Sequence, residues 1–197
     1  LTELHRPAPL DPKRHDRSGF DSGEPVLDEW LRRYAGQNRR RDTAATWVIA
    51  DAHNAVVAYA SIAMTGIDLA SAPARLAKQA PDPVPALLLG RLAVDRRHAG
   101  KGIGTALVAH VLASAVELNT SAACRAVVVS ALNAHAHSWW ESLGFHAFDP
   151  DDQGHPDLYL LTSEIEKTLS KPNHKPPPLP NKATPPTPQA SPPTPLQ

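Results

Sequence analysis

The run ALLLGRLAV at residues 86–94 is almost wholly apolar, and DRRHAGKGIG follows it without a spacer. A strand with no polar alternation must be covered on both faces, so it belongs inside a sheet flanked by helices. Gly100, Gly102 and Gly104 then clear side chains from the approach to TALVAHVLASAVEL at 105–118, where Leu107, Val111, Leu112 and Ala115 share one helical face. A chain containing this segment is committed to strand, glycine turn, helix.

The rest of the sequence extends the same plan. CRAVVVSAL at 124–132 reads as a second buried strand, AHAHSWWESL as a short helix ended by Gly144, and DLYLLTSEI as a final strand-like segment. Upstream, TWVIA and AVVAYASIAM flank DAHN, whose Asp and Asn suit turn geometry, so the pair predicts a hairpin. In VLDEWLRRYAGQ, residues 26–37, the helical spacing of Leu27, Trp30, Leu31 and Tyr34 predicts an amphipathic helix. Residues 67–86, with Pro73 and then APDPVP, read as a loop. The organisation is α/β around one mixed sheet.

Length and composition bound the alternatives. The 197 residues suffice for one domain with a continuous core, expected over 1–168, and a proline-dominated tail expected to be disordered or polyproline II over 169–197. Lys plus Arg and Asp plus Glu each number 20, so any charged partner must be met by a local patch. The one cysteine, Cys124, lies in an apolar run and reads as a small buried hydrophobe. Asp51, His53 and Asn54 interrupt the longest apolar stretch, which excludes it as a membrane span. The opening LTELHRPAPL lacks the basic-then-apolar pattern of a secretory signal, giving the expectation of a cytoplasmic protein. His135 and His137 have no carboxylate or cysteine at ligand spacing, so no metal is expected.

Between a strand ending at Val94 and a helix starting near Thr105, the three glycines let backbone amides approach an anion at the positive end of the helix dipole. The loop lacks both the dinucleotide spacing GxGxxG and a Walker lysine. Arg97, Gly100 and Gly102 fit Q/R-x-x-G-x-G/A, the pyrophosphate motif of the GNAT N-acetyltransferases, and WWESLGF at 139–145 is similar to that family's aromatic, Tyr, E-x-x-G-F segment. The resemblance implies an α/β (α+β) fold with a central mixed sheet whose parallel strands splay to admit acetyl-CoA. It implies a cofactor site at Leu92, Ala93, Val94, Arg97, Gly100, Lys101, Gly102, Ile103, Gly104, Thr105 and Asn133, with the Val94 backbone polarising the thioester.

A narrower likeness covers residues 1 to about 168. GFDSGEPVLDEWL, PDPVPALLLGRLAVD and DLYLLTSEIEKTL resemble segments of the bacterial GNAT toxins of the TacT and AtaT type. It implies acetylation of the α-amine of aminoacyl-tRNA, a block on translation, and a ribbon-helix-helix antitoxin as partner, with no membrane role; monomer and homodimer both stay open. A neutral enzyme needs concentrated cations to hold a polyanion. RRYAGQNRRR at 32–41 carries Arg32, Arg33, Arg39, Arg40 and Arg41 with no acid, and Arg91 lies at the strand end. The competing readings are a solvated arginine face, a degenerate homologue that holds acetyl-CoA without turnover, and a transferase for a small amine or protein N-terminus.

One position departs from the resemblance. Trp140 stands where the family carries a tyrosine read as general acid, and an indole N–H donates a hydrogen bond without giving up its proton. Losing a general acid costs on the order of 10² to 10⁴ in rate. An α-amine of pKa about 7.7 is already partly neutral, so a dedicated base is dispensable. His98, His135, His137 and Tyr159 are the substitute proton donors to be placed by the fold.

Overall fold

The computed structural model describes residues 3–149 and 157–170. Seven strands, β1 (Ala8–Pro9), β2 (Ala45–Ala50), β3 (Val56–Ile67), β4 (Val84–Val94), β5 (Ala126–Ser130), β6 (His146–Ala147) and β7 (Asp157–Leu161), form one sheet in the order β1-β2-β3-β4-β5-β7-β6. Every neighbouring pair is antiparallel except β4 and β5, which run parallel. The mixed sheet expected from the sequence is therefore present. The connection between the parallel strands is α4 (Ile103–Asn119), as a crossover requires.

One face of the sheet packs against α4, α5 (Ala134–Ser142) and α6 (Thr162–Leu169). Leu87, Leu89, Val127, Val129, Leu158 and Leu160 meet Leu107, Val111, Trp140 and Ile165 there. On β5 and β7 the alternate residues Ala126, Val128 and Tyr159 face the other way, onto Leu76 of α3 (Ala74–Ala77). Cys124 is fully buried, and burial pushes its thiol pKa up, as a small hydrophobe requires. Among the described residues no helix is long and apolar enough to cross a membrane.

Three elements differ from expectation. The N-terminal helix is continuous but contains a π turn, Trp30–Tyr34, between α1 (Pro25–Glu29) and α2 (Ala35–Arg40). A π turn bonds i to i+5, and the Ala35 amide donates to Trp30 O, so Ala35 takes the core position that helical spacing gave to Tyr34. Ala35 is fully buried and Tyr34 is exposed. The segment 67–86 splits among the ends of β3 and β4 and α3, because Leu76 has a hydrophobic cluster to enter. At the C-terminal end the strand stops at Leu161 and TSEIEKTL is helix, held at its start by the Leu161 amide donating to Glu164 Oε2 at 3.4 Å. The proline-rich segment from 171 lies outside the described residues.

Candidate active site

The opening in the sheet starts at Gly90. On β4, Leu89 pairs with Ile62 and Arg91 with Ser61, so Gly90 is the extra residue of a β-bulge against β3. On the other edge, pairing with β5 ends at Leu89 opposite Val129. From Gly90 to Val94, β4 therefore has β3 on one side and no strand on the other. Bulges bend a strand, and this one begins where the parallel pair parts. An isolated glycine inside an apolar strand is the sequence signal for such a bulge, and sequence reasoning passed over it.

The register decides which backbone groups face the gap. The Asp95 amide donates to Val57 O at 2.8 Å, so Asp95 and Val57 form a hydrogen-bonded pair. Antiparallel ladders alternate, and Ala93 with Tyr59 is the next such pair. The amides and carbonyls of Leu92 and Val94 consequently turn to the open side. Ala93, placed with them by the family resemblance, instead gives its backbone to β3 and its side chain to a core cluster with Trp30 and Tyr59. The backbone groups on the open side are those of Leu92 and Val94.

Beyond Val94 the chain enters a 3-10 turn, Arg96–His98, and then the glycine loop. Gly100 and Gly102 have φ of +72° and +74°, and a Cβ on either would touch nothing. Handedness rather than space calls for glycine at both. Gly102 is the N-cap of α4 and supplies no side-chain cap. Ala106 is the first residue whose amide reaches a helical carbonyl, Gly102 O at 3.0 Å, which leaves the amides of Ile103, Gly104 and Thr105 as donors at the helix start. At Gly104 the constraint is steric: a Cβ would lie 3.3 Å from Val94 Cγ2 and 3.8 Å from the Trp139 ring. The missing side chain lets α4 sit against both β4 and α5.

Arg97 is not free to swing toward an anion. Its Nε and Nη2 donate to the two oxygens of Asp95 at 2.8 and 2.5 Å, and Nη2 also donates to Gly19 O at 2.9 Å. Asp95 is fully buried, and hydrogen bonding by Arg97 holds its pKa down to about 2. The same carboxylate accepts from the Asp21 amide at 3.2 Å, the Arg96 amide donates to Asp21 O, and the Arg96 guanidinium pairs with the Asp21 carboxylate. Arg97 thus straps residues 19–21 to the root of the loop. Lys101 Nζ donates to Arg97 O at 3.1 Å and closes the turn.

Across the gap, the loop after β5 leads to Asn133, which caps α5 by accepting from the Ala136 amide at 2.9 Å. Trp140 is buried, with edge-on contacts to Trp139 at 4.7 Å and Phe145 at 5.1 Å between ring centroids. Its indole nitrogen donates no hydrogen bond among the described residues, yet it is not one of the sealed, unpartnered polar atoms. His135 is exposed, while His98 Nδ1 and His137 Nε2 are sealed without partners, and His137 Nδ1 lies 3.6 Å from Glu141. Tyr159 belongs to the opposite face of the sheet, beside Arg75 and Glu164, and burial raises its pKa. The fold removes it from the substitute proton donors.

The arginines divide into two groups. Arg33 pairs with Glu29 at 3.0 Å, Arg32 Nη1 donates to Phe20 O at 2.9 Å, and the Arg91 guanidinium lies 4.6 Å over the Trp30 ring. Arg39, Arg40 and Arg41, at the end of α2, are exposed and have no ion-pair partner among the described residues. Gly36, between the two groups, is buried under Pro12.

Residues 9–145 match the acetyltransferase (GNAT) family. The chain belongs to that family. It is 35% identical over 154 residues to a tRNA-acetylating toxin of Mycobacterium tuberculosis, a match spanning 78% of this chain and 90% of the toxin. Among solved structures it superposes on AtaT complexed with acetyl-methionyl-tRNAfMet with a TM-score of 0.77 and 25% identity, covering 85% of this chain and all of the other. It also superposes on a Tyr-to-Phe mutant of AtaT bound to the C-terminus of the antitoxin AtaR and acetyl-CoA, with a TM-score of 0.73 and 26% identity, covering 86% and 99%.

A GNAT acetyltransferase takes its acetyl group from acetyl-CoA, and the groove suits that donor on its own geometry. Two left-handed glycines and three unpaired amides form a cradle with the charge preference of a pyrophosphate. The unpaired edge at Leu92 and Val94 offers donors and acceptors spaced for the amides of a pantetheine arm. Gly102→Ala forces an L-residue into the left-handed region, at a cost of roughly 1–2 kcal/mol. Coenzyme binding should weaken about 10-fold by calorimetry if relaxing that strain moves the amides of the cradle.

Proposed function

We propose that this chain acetylates the α-amine of aminoacyl-tRNA and acts as the toxin of a toxin-antitoxin pair. The observation that carries the reading is the 35% identity over 90% of a tRNA-acetylating toxin. Acetyl-CoA supplies the acetyl group as a thioester. The Val94 amide, on the open edge of β4, polarises the carbonyl, and the amides of Ile103, Gly104 and Thr105 hold the diphosphate. The amine needs no carboxylate base, since a pKa of about 7.7 leaves much of it neutral. Trp140 directs an indole N–H toward the departing sulfur and stabilises its charge without protonating it.

Arg39, Arg40 and Arg41 supply the phosphate contacts, joined by Arg32 and Arg91. Aminoacyl-tRNA is a cytoplasmic substrate, so the chain works in the cytoplasm. Its partner in the neutral state is a ribbon-helix-helix antitoxin, in keeping with the AtaT mutant bound to the C-terminus of AtaR.

The test is acetyl transfer from labelled acetyl-CoA to a panel of charged tRNAs and to small amines. Transfer confined to tRNA is the expected result. Transfer only to small amines, or coenzyme binding without turnover, overturns it in favour of a small-amine transferase or a non-catalytic homologue. Replacing Arg39, Arg40 and Arg41 together by alanine should weaken tRNA binding and flatten its logarithmic salt dependence by about 0.7–0.9 for each phosphate no longer neutralised.

A further inference from the structure

Away from the acetyl-CoA groove, the segment between β1 and α1 folds back on itself and leaves an open cleft of about 450 Å³. Lys13, Arg14, His15, Asp16, Arg17 and Arg32 line it. Four permanent cations face one carboxylate. Sequence reasoning named Arg32 but missed Lys13, Arg14 and Arg17, which are interleaved with Asp11 and Asp16 and so form no run of one sign.

The arginines of the cleft, like Arg125 on Leu76 O and Lys78 O, have neutral acceptors, but among the described residues only in the cleft do several gather at one opening. Arg33, Arg75, Arg96 and Arg97 are each neutralised by a carboxylate. In the cleft, Arg14 Nε donates to Asn54 Oδ1 at 2.9 Å, Arg17 Nη1 to Leu31 O at 3.4 Å, and Arg32 Nη1 to Phe20 O at 2.9 Å. Neutral oxygens orient these guanidiniums, and Asp16, whose carboxylate feels the charge of Arg17, offsets only one of the four cations. Asp16 is already engaged, its Oδ1 accepting from the Ser18 amide at 2.9 Å and hydroxyl at 2.7 Å.

His15 fixes the back of the cleft. It is buried, and its Nδ1 accepts from the Asp11 amide at 3.0 Å, so the neutral ring carries its proton on Nε2. The cleft also continues into the exposed arginines. Pro12 and Arg17 pack on α2 so closely that a methyl at Gly36 would come within 3.2 Å of Pro12 Cγ and 3.8 Å of Arg17 Nη1. Gly36 and Arg40 are four residues apart on that helix, about 6 Å along its axis. The pre-oriented guanidiniums and the loose Arg39–Arg41 end therefore form one surface.

We infer that this cleft seats phosphates of the RNA backbone, as a second contact distinct from the groove where the amine is acetylated. Oriented guanidiniums in cationic excess over the one carboxylate match phosphodiester oxygens, and the open form admits a strand passing through rather than a small enclosed ligand. The inference rests on the aminoacyl-tRNA reading.

The test compares the full chain with the triple variant Lys13→Ala, Arg14→Ala, Arg17→Ala, and with Arg14→Lys, Arg17→Lys as a charge-keeping control for folding. Binding of uncharged tRNA is measured by anisotropy across a salt series, alongside acetyl-CoA binding by calorimetry. The triple variant should bind tRNA about 10- to 100-fold more weakly, with a log–log salt slope shallower by about 2, while the lysine control recovers most of the slope and the affinity for acetyl-CoA is unchanged in both. An unchanged slope in the triple variant overturns the cleft while leaving the tRNA reading standing; a wild-type chain with no salt-dependent tRNA binding overturns both. Loss of antitoxin binding with the tRNA slope intact, or phosphate alone saturating the cleft with no competition against tRNA, assigns it to an acidic protein or a free anion and overturns the proposal.

Discussion

Asp95→Asn should lower the unfolding free energy by about 2 kcal/mol at neutral pH and raise the KM for acetyl-CoA more than it lowers kcat. The carboxylate is fully buried and accepts from the Arg97 amide at 3.0 Å, from the Arg97 guanidinium, and from the Asp21 amide. Asparagine keeps the shape but turns one oxygen into an NH2 facing a donor. Arg97 itself is well exposed, so the loss comes from the amides left without an acceptor rather than from a stranded charge. The KM effect follows from position, because the turn that Asp95 organises leads directly into the glycine loop.

The same site fixes a pH signature. Asp95 has its pKa depressed from an ordinary 3.8 to about 2, chiefly by the Arg97 hydrogen bonds. A depressed carboxylate stabilises the fold above its unfolded pKa and loses that contribution as pH falls through the folded one. Urea unfolding should therefore show the gap between wild type and Asp95→Asn at full size at pH 7 and closing between about pH 4 and pH 2. A gap that ignores pH would mean that shape, not charge, holds the strap.

Trp140→Tyr should raise kcat on charged tRNA about 10-fold or more, toward the order of 10² to 10⁴ associated with a general acid, while costing about 1–2 kcal/mol of stability. The cost arises because the indole fills core between Trp139 and Phe145, and a phenol leaves part of that volume empty. Trp140→Phe separates the effects: it makes a similar void without a hydroxyl and should show no gain. With tyrosine installed, kcat should acquire a falling limb near the phenol pKa of about 10. Equal rates in wild type and both variants would mean that the thioester sulfur does not meet residue 140.

The parts of this structure legible in the sequence are those where one physical demand dominates. A continuous apolar strand, glycines and an amphipathic helix can be assembled in few ways, and β4, its loop and α4 form as expected, α4 starting two residues early at Ile103. Periodicity puts Tyr34 in the core because it assumes α geometry, whereas the π turn adds one residue before Ala35 enters there. TSEI reads as strand-like because DLYLL before it is a strand, although the Glu164 cap and the inward Ile165 are signals of a helix. The motif sets Arg97 as an anion ligand by likeness; its actual partner, Asp95, is two residues away and invisible to a pattern that begins at the arginine. The cleft around Arg17 depends on contacts with Leu31 and Asn54, which no local window can see.

Among the described residues, the short parallel ladder Ala86–Leu89 against Ala126–Val129, with the Arg125 amide on Pro85 O at its start, stitches the four-stranded half of the sheet to the three-stranded half. Two shells joined along so short a seam gape at one end, and the gape exposes polar backbone that a pantetheine arm along Leu92 and Val94 would caulk. Occupancy and rigidity then share one free energy: a ligand at 100 times its Kd adds about 2.7 kcal/mol to the fold. Where acetyl-CoA is plentiful the reagent also serves as a rib of the architecture, and starving the cell of it loosens the protein as well as idling it.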